Sequence, residues 1–514
     1  MTRSRVVDAV AGLLAAAVAL AAGEAASALI GGPSPVVAVG DVVVDYAPGG
    51  LVKAAIELLG TRDKPALLIG VTLTSLAIGM LLGPVAGRDR RVGVAAFVAF
   101  GLIGALAGAR DPLSADASAF AVAAAAALAG VVTLSLLLSA ASPEATGPAS
   151  MPGRGVADRR RFLLFAAGAA GAAVAGVAGR TLLGPSVDVE EERAAIRLPR
   201  MADRFRGVRG LAVNGISSVI TPNDDFYRID TALVVPRVAV ESWRLSVTGM
   251  VDRPYELSFA DLVDMASVEQ SLTLACVSNE VGGDLVGNAI WLGVPLAEIL
   301  ERAGVQEGAT QIVGRSVDGF TAGFPTEIAF DGRPAIVAIG MNGEPLPAIH
   351  GFPARLVVPG LYGYVSATKW IKEIELTTLE AFDAYWIPRG WSKEAPVKTQ
   401  SRIDVPRDGR TVDMGRVAVA GVAWAGVREL SRVEVRINAT GEETDEWHEA
   451  RLGEPLSQSS WRQWVYEWDA APGEYRIGVR ATDGDGATQT HEQRPPAPDG
   501  ATGHHAVRVN VRRT

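Results

Sequence analysis

The chain contains one cysteine, Cys276, in the stretch SLTLACVSNEVGGD, between an apolar run and a glycine-rich turn. This thiol could be a small buried hydrophobic group, a nucleophile activated by a base, or a soft metal ligand. One thiolate cannot hold zinc by itself, but it can add a ligand to a metal that already carries a sulfur-donating organic cofactor. A single cysteine also excludes an intramolecular disulfide.

The first 184 residues have the composition of a membrane unit. A helix needs about 20 apolar residues to cross a hydrocarbon core, and small residues dominate the segments that qualify, which favours close helix packing in lipid. Residues 36–59 are interrupted by Asp41, Asp45 and Pro48, which predicts a loop with a short amphipathic or re-entrant piece. The predicted spans are residues 9–30, 66–85, 92–109, 117–138 and 162–183.

Basic residues predict the orientation of these spans, because lysine and arginine are enriched in cytoplasmic loops. Arg3 and Arg5 place the N-terminus inside, and residues 87–91 and 154–161 form inside loops. Five spans then place everything after about residue 184 on the outer side of the cytoplasmic membrane. The spans contain no histidine, which excludes a histidine-ligated haem within them.

The segment before the fifth span resembles a twin-arginine export signal. Arg159 and Arg160 precede Phe162 and Leu163, and a weakly hydrophobic stretch of alanine and glycine follows. The alternative is a basic anchor before an ordinary last span. Because the twin-arginine route moves folded proteins, it would suit a domain that is loaded with a cofactor in the cytoplasm.

The rest of the chain has the composition and the residue patterns of two soluble domains. Residues 185–386 alternate between strand and helix patterns, which predicts a mixed α+β domain. Residues 387–400 are polar with two prolines and predict a linker, and the remaining residues predict an immunoglobulin-like β-sandwich. We expect Trp461, Trp464 and Trp468 to fill the core of that sandwich. Strands are predicted over residues 242–251, 354–360, 369–376, 432–437, 464–468 and 474–483, and helices over 258–267 and 294–304.

From residue 221 to the C-terminus the chain resembles the sulfite oxidase family of molybdopterin enzymes. The resemblance rests on residues 221–231, 272–283, 287–296 and 338–376 and on the tryptophan-rich sandwich. It implies a molybdenum–molybdopterin domain followed by an immunoglobulin-like dimerisation domain, and hence a homodimer. It does not account for the first four spans.

The expected fold is therefore multi-domain. A transmembrane α-helical bundle precedes an α+β sulfite-oxidase-like molybdopterin domain and a C-terminal immunoglobulin-like β-sandwich. The expected boundaries are 1–145 for a membrane domain of about four helices, 146–184 for the twin-arginine-like segment and fifth anchor, 185–386 for the molybdopterin domain and 387–514 for the sandwich.

The resemblance also implies roles for individual residues. Cys276 corresponds to the metal-binding and catalytic cysteine, Arg355 and Lys369 to positions that hold the phosphate end of the cofactor, and His350 to a side chain that hydrogen-bonds the pterin. Asn223, Tyr227 and Arg228 lie in the first block, which approaches the cofactor in relatives. The weaker candidates for binding the cofactor are Ser316, Ser366 and Thr368.

Three positions depart from the pattern of sulfite oxidases. The arginine that faces an anionic substrate in that family corresponds to Val281, and Glu280 precedes it. A tyrosine expected near the metal corresponds to Phe320, which lacks a hydrogen-bond donor. The arginine of the family's Arg-Asn-His stretch is also missing, since residues 227–230 align imperfectly with it. These changes leave the substrate open, while Cys276 and the phosphate-binding positions are intact.

The sequence predicts a membrane-anchored enzyme that performs two-electron oxygen-atom transfer on a small oxyanion, sulfoxide or N-oxide. Electrons would pass to a separate carrier, such as a cytochrome or a quinone-linked protein. The formal charge of −9 argues against a nucleic-acid partner. One alternative is a non-catalytic surface protein that uses a degenerate cofactor fold and the sandwich to bind a partner. Another, a membrane carrier with an appended sensor, is disfavoured by the nearly uncharged spans.

Overall fold

The computed structural model describes residues 5–48, 58–59, 62–111, 116–141, 154–183, 188–199, 205, 207–442 and 444–513, with the side chains of 154–159 and 176–183 left out. Tertiary contacts divide the chain into two units. The first consists of residues 1–187 with 232–234, and the second of residues 188–231 with 235–514.

The regular secondary structure of the first unit is helical in its described residues. Four of its helices, α1, α3, α4 and α5, are long and apolar enough to cross a membrane and overlap the first four predicted spans. The predicted loop at residues 36–59 begins with the short helix α2, which Ser34 caps. The fifth predicted span lies within α6 and stays a prediction. The helices are α1 (Arg5–Ile30), α2 (Pro35–Tyr46), α3 (Asp63–Ala86), α4 (Arg90–Gly108), α5 (Asp116–Ala140) and α6 (Arg154–Leu183).

Glycines allow α1 and α3 to approach closely. A Cβ atom on Gly12 would lie 2.1 Å from the carbonyl oxygen of Gly79 and 2.8 Å from the Cα of Gly83, so no larger residue fits there. Large apolar side chains such as Leu73 and Leu102 are exposed on the outside of the unit. Small residues between helices and large apolar residues outside are the arrangement that a lipid environment favours.

The second unit begins with an α+β domain built on two sheets. One sheet has the order β2-β1-β10-β5-β6, with β1 and β10 parallel, and the other has the order β3-β4-β7-β8, with β9 paired to β7. The strands are β1 (Arg244–Gly249), β2 (Tyr255–Ser258), β3 (Val268–Ala275), β4 (Val286–Pro295), β5 (Gln311–Ser316), β6 (Thr321–Pro325), β7 (Ile336–Met341), β8 (Glu344–Pro345), β9 (Arg355–Val357) and β10 (Ile371–Thr377).

Short helices connect these strands, and local sequence signals set their ends. Ser258 and Asp261 form a reciprocal capping box at the start of α8, and Gly304 ends α9 in the left-handed conformation with φ +73°. Both predicted helices are therefore confirmed. The helices are α7 (Val189–Ala195), α8 (Phe259–Met265), α9 (Leu296–Ala303) and α10 (Gly363–Ser366), with 3-10 turns at Asn223–Asp225, Thr326–Ala329, Ala348–His350 and Ile387–Arg389.

Two further sheets form the C-terminal domain and share one hydrophobic core. The first has the order β11-β13-β17-β16 and the second the order β12-β19-β18-β14-β15. The three predicted strands of this domain are confirmed, while its immunoglobulin-like character stays a prediction. The strands are β11 (Gln400–Val405), β12 (Arg410–Asp413), β13 (Gly415–Trp424), β14 (Leu430–Ala439), β15 (His448–Glu449), β16 (Arg451–Leu452), β17 (Arg462–Ala470), β18 (Gly473–Asp483) and β19 (His505–Arg512).

The three tryptophans of the C-terminal domain do not share one core. Trp464 and Trp468 lie in the core between its two sheets, as predicted. Trp461 instead packs into the core of the preceding α+β domain, where its indole N–H donates to the carbonyl of Val219 at 2.8 Å. The prediction for Trp461 was wrong because this residue precedes β17 and lies in a loop that contacts the neighbouring domain.

A loop of the C-terminal domain, residues 457–461, covers the outer edge of β3. β3 is an edge strand of its sheet. The Thr273 N–H donates to the carbonyl of Ser459 at 3.0 Å, and the Ser457 hydroxyl donates to the carbonyl of Ser271 at 2.5 Å. Backbone groups that an edge strand would otherwise expose are therefore paired across the domain boundary.

The predicted linker also packs against the α+β domain. Ala395 and Val397 are buried in the core of that domain, and the N–H of Val397 donates to the carbonyl of Gly360 at 2.9 Å. Residues 387–400 connect the two domains, but they are a folded part of the first one, not a free spacer.

Candidate active site

Cys276 lies at the open end of a β-hairpin. The antiparallel pairing of β3 and β4 ends with Ala275 opposite Val286, and the N–H of Cys276 then donates to the carbonyl of Leu285 at 2.9 Å. Residues 276–285, called the cysteine loop below, connect the two strands. The Asn279 side chain closes this loop by accepting a hydrogen bond from the N–H of Leu285 at 2.8 Å. The thiol is therefore fixed by backbone pairing on both sides.

A cleft with about 850 Å³ of empty space, partly open to solvent, lies beside Cys276. Five of the residues predicted to form the site meet there: Tyr227, Cys276, Ser316, Arg355 and Lys369. The other residues that line it are Phe226, Ile229, Asp230, Thr231, Val277, Ser278, Asp318, Phe320, Gly363, Tyr364, Ala367, Trp370, Trp386 and Trp391.

The environment of Cys276 keeps its thiol protonated unless a cation approaches. Burial raises the pKa of the thiol, while hydrogen bonds from the backbone and the hydroxyl of Ser278 oppose that shift. A metal ion would supply the missing positive charge and deprotonate the sulfur. Ser278 already provides donors for the anionic form, and no motif in the sequence pointed to this residue.

Lys369 brings one positive charge to the cleft. Its Nζ atom lies 2.8 Å from Oδ2 of Asp230 and donates to the carbonyl of Ile349 at 3.1 Å. Burial lowers the pKa of Lys369 to about 8, and the neighbouring Asp230 opposes this shift. Asp230 also accepts a hydrogen bond from Nε of Arg228 at 2.9 Å, so one carboxylate contacts two predicted site cations.

Arg355 brings the second positive charge. Its guanidinium lies over the ring of Trp291, 5.0 Å from the centroid, and donates to the carbonyl of His350 at 3.1 Å. Burial lowers its pKa to about 10, while Tyr227 opposes the shift. A buried cation with such partners is held in place and would attract an anionic group strongly.

Five of the predicted cofactor-binding residues do not line the cleft. His350 is buried, with Nε2 2.8 Å from the carbonyl oxygen of Asn223, and burial lowers its pKa to about 4. Ser366 and Thr368 bond to backbone carbonyls of Tyr362 and Gly314. Arg228 is ion-paired to Asp230, and the side chain of Asn223 forms hydrogen bonds with those of Glu344 and Asn342. These residues support the lining side chains, and their binding of the cofactor stays a prediction.

Aromatic side chains form much of the cleft wall, and sequence reasoning missed most of them. Tyr364 and Trp391 have ring centroids 5.7 Å apart, and Trp386 lies 6.5 Å from Trp391. Trp386 directly precedes the segment interpreted as a linker, and Trp391 lies within it. The density of aromatic residues in AYWIPRGW was the available signal.

Asp318 is the other missed residue that could do chemistry. It lies in the turn between β5 and β6, where Phe320 donates its N–H to Oδ1 of Asp318 at 3.1 Å. Burial raises the pKa of this carboxyl, and the nearby Asp230 raises it further, whereas Ser316 and Lys369 oppose the shift.

Residues 232–386 match the family model described as "Oxidoreductase molybdopterin binding domain". The chain is also 29% identical over 305 residues to the mitochondrial sulfite oxidase of Homo sapiens, a match that covers 51% of this chain and 55% of that protein. This region is a molybdopterin-binding oxidoreductase domain similar to those of the sulfite oxidase family. The resemblance predicted from the sequence blocks is confirmed.

Two further proteins match in part. The NADH nitrate reductase of Spinacia oleracea is 33% identical over 178 residues, which are 29% of this chain and 19% of that protein. The crystal structure of the sulfane dehydrogenase SoxCD from Paracoccus pantotrophus aligns with a TM-score of 0.49 and 21% identity, over 64% of this chain and 95% of that chain. The chain spans about half the length of the animal sulfite oxidases that it matches.

The cofactor of a sulfite oxidase family domain is molybdenum–molybdopterin, as predicted. The matched residues include seven predicted site positions, from Cys276 to Lys369. Asn223, Tyr227 and Arg228 precede the match.

Proposed function

We propose that this chain is a membrane-anchored molybdopterin-dependent oxidoreductase that performs two-electron oxygen-atom transfer on a small sulfur–oxygen or nitrogen–oxygen compound. The observation that carries the proposal is the position of Cys276. Its thiol lies in a cleft that also contains two buried cations, Arg355 and Lys369, within a molybdopterin-binding domain.

The residues of the cleft fit the cofactor chemically. Cys276 would ligate the molybdenum, and the donors of Ser278 would stabilise its thiolate. Arg355 and Lys369 would neutralise the phosphate of the pterin, because both are cations whose burial strengthens their attraction for an anion. When bound, the cofactor would supply the two-electron redox change and the site of oxygen exchange.

The cleft favours a neutral substrate. Among the described residues that line it, the only cations are Arg355 and Lys369, which the cofactor phosphate would use. A doubly charged oxyanion such as sulfite would find no further lysine or arginine, and Val281 stands where sulfite oxidases have an arginine. The aromatic wall around Trp386 and Trp391 would instead contact the apolar groups of an organic sulfoxide or N-oxide. We therefore propose such neutral oxides as substrates.

The protein would exchange electrons with a separate carrier. Among the described residues no cluster of three or more histidine, cysteine, aspartate or glutamate side chains could hold a metal, and a single cysteine cannot hold an iron–sulfur cluster. The helices α1, α3, α4 and α5 support anchoring in the cytoplasmic membrane, with the catalytic and C-terminal domains outside. A cytochrome or a quinone-linked protein would be a suitable partner, and the sandwich would mediate a homodimer.

The proposal is tested with the full chain produced in a host that makes the molybdenum cofactor. We expect about one molybdenum and one pterin per chain, and reduction of dialkyl sulfoxides or N-oxides by a reduced viologen dye at a rate well above that with sulfite as the electron donor. Cys276→Ser and Cys276→Ala should fold but lose activity and the thiolate–metal absorption. Wild-type protein without molybdenum would overturn the proposal and favour the non-catalytic alternative.

A further inference from the structure

When an oxide gives up its oxygen atom as water, the reaction consumes protons as well as electrons. For a neutral oxide XO the balance is XO + 2H⁺ + 2e⁻ → X + H₂O, in which the X–O bond breaks and the electron carrier supplies the electrons. An apolar cleft therefore needs a side chain that exchanges protons with the departing oxygen. We propose that Asp318 is this catalytic residue, an inference that rests on the proposed oxygen-atom transfer.

The turn between β5 and β6 directs Asp318 into the cleft. The N–H of Ser316 donates to the carbonyl of Phe320 at 2.9 Å, and Gly319 has φ +87°, a conformation that few other residues adopt. The turn is therefore tight, and Ser316, Asp318 and Phe320 all line the cleft. The N–H of Phe320 fixes one oxygen of the Asp318 carboxyl, while the ring of Phe320 offers no proton of its own.

The other titratable side chains of the cleft are committed elsewhere. Asp230 is ion-paired to Lys369, and Arg355 keeps its charge at neutral pH. Burial raises the pKa of Tyr227 and of Tyr364 far above the working range, and the Tyr364 hydroxyl donates to the carbonyl of Ser392. Among the described cleft residues, Asp318 is the carboxyl without an ion pair.

The charges that face Asp318 help it to hold a proton. Burial raises its pKa, Asp230 acts in the same direction, and Lys369 acts against it. Because Lys369 is already paired with Asp230, its attraction for a second carboxylate is reduced. A carboxyl whose pKa moves towards neutrality is a more effective acid and base at physiological pH.

The assignment is tested in the full, molybdenum-loaded chain with Asp318→Asn, Asp318→Glu and the control Asp264→Asn, the same change at an exposed aspartate. With a dialkyl sulfoxide and a reduced viologen dye, we expect Asp318→Asn to lower kcat by about 100-fold or more. KM and molybdenum content should change little. Asp318→Glu should retain more activity with a displaced pH profile, and Asp264→Asn should match the wild type.

A second measurement does not depend on turnover. Because the pKa of Asp318 is raised in the folded chain, the wild type should lose stability as pH rises from the ordinary aspartate pKa through the raised value. Asp318→Asn lacks this loss, so its Tm relative to the wild type should increase with pH across that window, whereas Asp264→Asn should show no trend.

The outcomes separate the two proposals. If the wild type reduces an oxide and Asp318→Asn keeps its rate within about threefold with an unchanged pH profile, the assignment of Asp318 is overturned alone. If molybdenum-loaded wild type turns over no sulfoxide or N-oxide, the proposed function is overturned and the assignment with it. If Asp318→Asn does not fold, Asp318→Glu decides, since an unchanged pH profile in that variant also contradicts the assignment.

Discussion

The guanidinium of Arg402, on the first strand of the C-terminal domain, donates to the carbonyl oxygen of Gly283 at 2.7 Å. Gly283 belongs to the cysteine loop, so the C-terminal domain directly holds the segment that follows Cys276. The same guanidinium contacts Oδ1 of Asp404 and Oγ of Ser217, both at 2.8 Å. Arg402 therefore joins three segments of the second unit.

We expect Arg402→Ala to destabilise the full chain by about 3 kcal/mol, because it leaves the carboxylate of Asp404 buried without its cation. Chemical denaturation in detergent, followed by tryptophan fluorescence, measures the loss. Arg402→Lys keeps the charge but loses the forked contacts, and should be intermediate.

A double-mutant cycle separates the stability contributed by the ion pair of Arg402 and Asp404 from that contributed by the hydrogen bond to Gly283. Arg402→Ala in an Asp404→Ala background should cost much less than in the wild type if the pair dominates. Equal costs in the two backgrounds would contradict the role given to Asp404 and leave the contact with Gly283 as the cause.

Gly282 should not tolerate a side chain. It has φ +81°, and a Cβ atom would lie 2.2 Å from Cδ2 of His505. Gly282→Ala should therefore displace the cysteine loop and lower molybdenum content in purified protein. Gly343→Ala is the matched control, since Gly343 has φ +86° with nothing near its Cβ position. It should cost only the backbone strain, about 1–2 kcal/mol, and equal effects would contradict the contact with His505.

Replacement of Lys369 should weaken cofactor binding and also change the pH dependence of folding. Its pKa is lowered from 10.5 to about 8, so wild type gains stability as pH rises between these values. Lys369→Met should lack this gain, and it should bind less cofactor. The Tm of cofactor-free full chain, measured from pH 7 to 10.5, checks the first effect, and pterin analysis checks the second.

Lys372→Met is the control for this prediction, since Lys372 lies on the adjoining strand β10 and is only half-buried. It should keep both the cofactor and the wild-type pH dependence. Lys369→Met protein with a full complement of pterin would contradict the phosphate-binding role.

Two buried tryptophans should respond differently to loss of the indole N–H. The N–H of Trp461 bonds to the carbonyl of Val219, whereas that of Trp464 has no partner among the described residues. We expect Trp461→Phe to be the more destabilising, by about 1 kcal/mol, because Trp464→Phe also removes an unsatisfied donor. Denaturation of both variants checks the order, and the reverse order would contradict it.

Local signals in the sequence predicted much of the fold. Ser258 and Asp261 cap a helix through side chains only three residues apart, and Gly304 ends one through its own backbone. The alternation of apolar and polar residues that predicted the strands is an equally local signal. The sequence therefore fixes these elements without knowledge of the rest of the chain.

The cleft depended on distant contacts and was only partly predicted. Cys276, Arg355 and Lys369 were found through motifs, but Trp391 comes from a segment that looked like a linker. Asp318 lies in a sequence pattern typical of turns, where an aspartate side chain usually hydrogen-bonds the backbone of the turn itself. Which turn faces a cleft follows from sheet packing, and a linear pattern does not contain that information.

The cover that residues 457–461 place over β3 has a consequence for biosynthesis. During translation the edge of that strand stays open to other extended chains until residues 457–461 have left the ribosome. A nascent chain that lacks these residues would present an aggregation-prone strand next to its cofactor site, so protection by chaperones would matter most in the interval before residues 457–461 emerge.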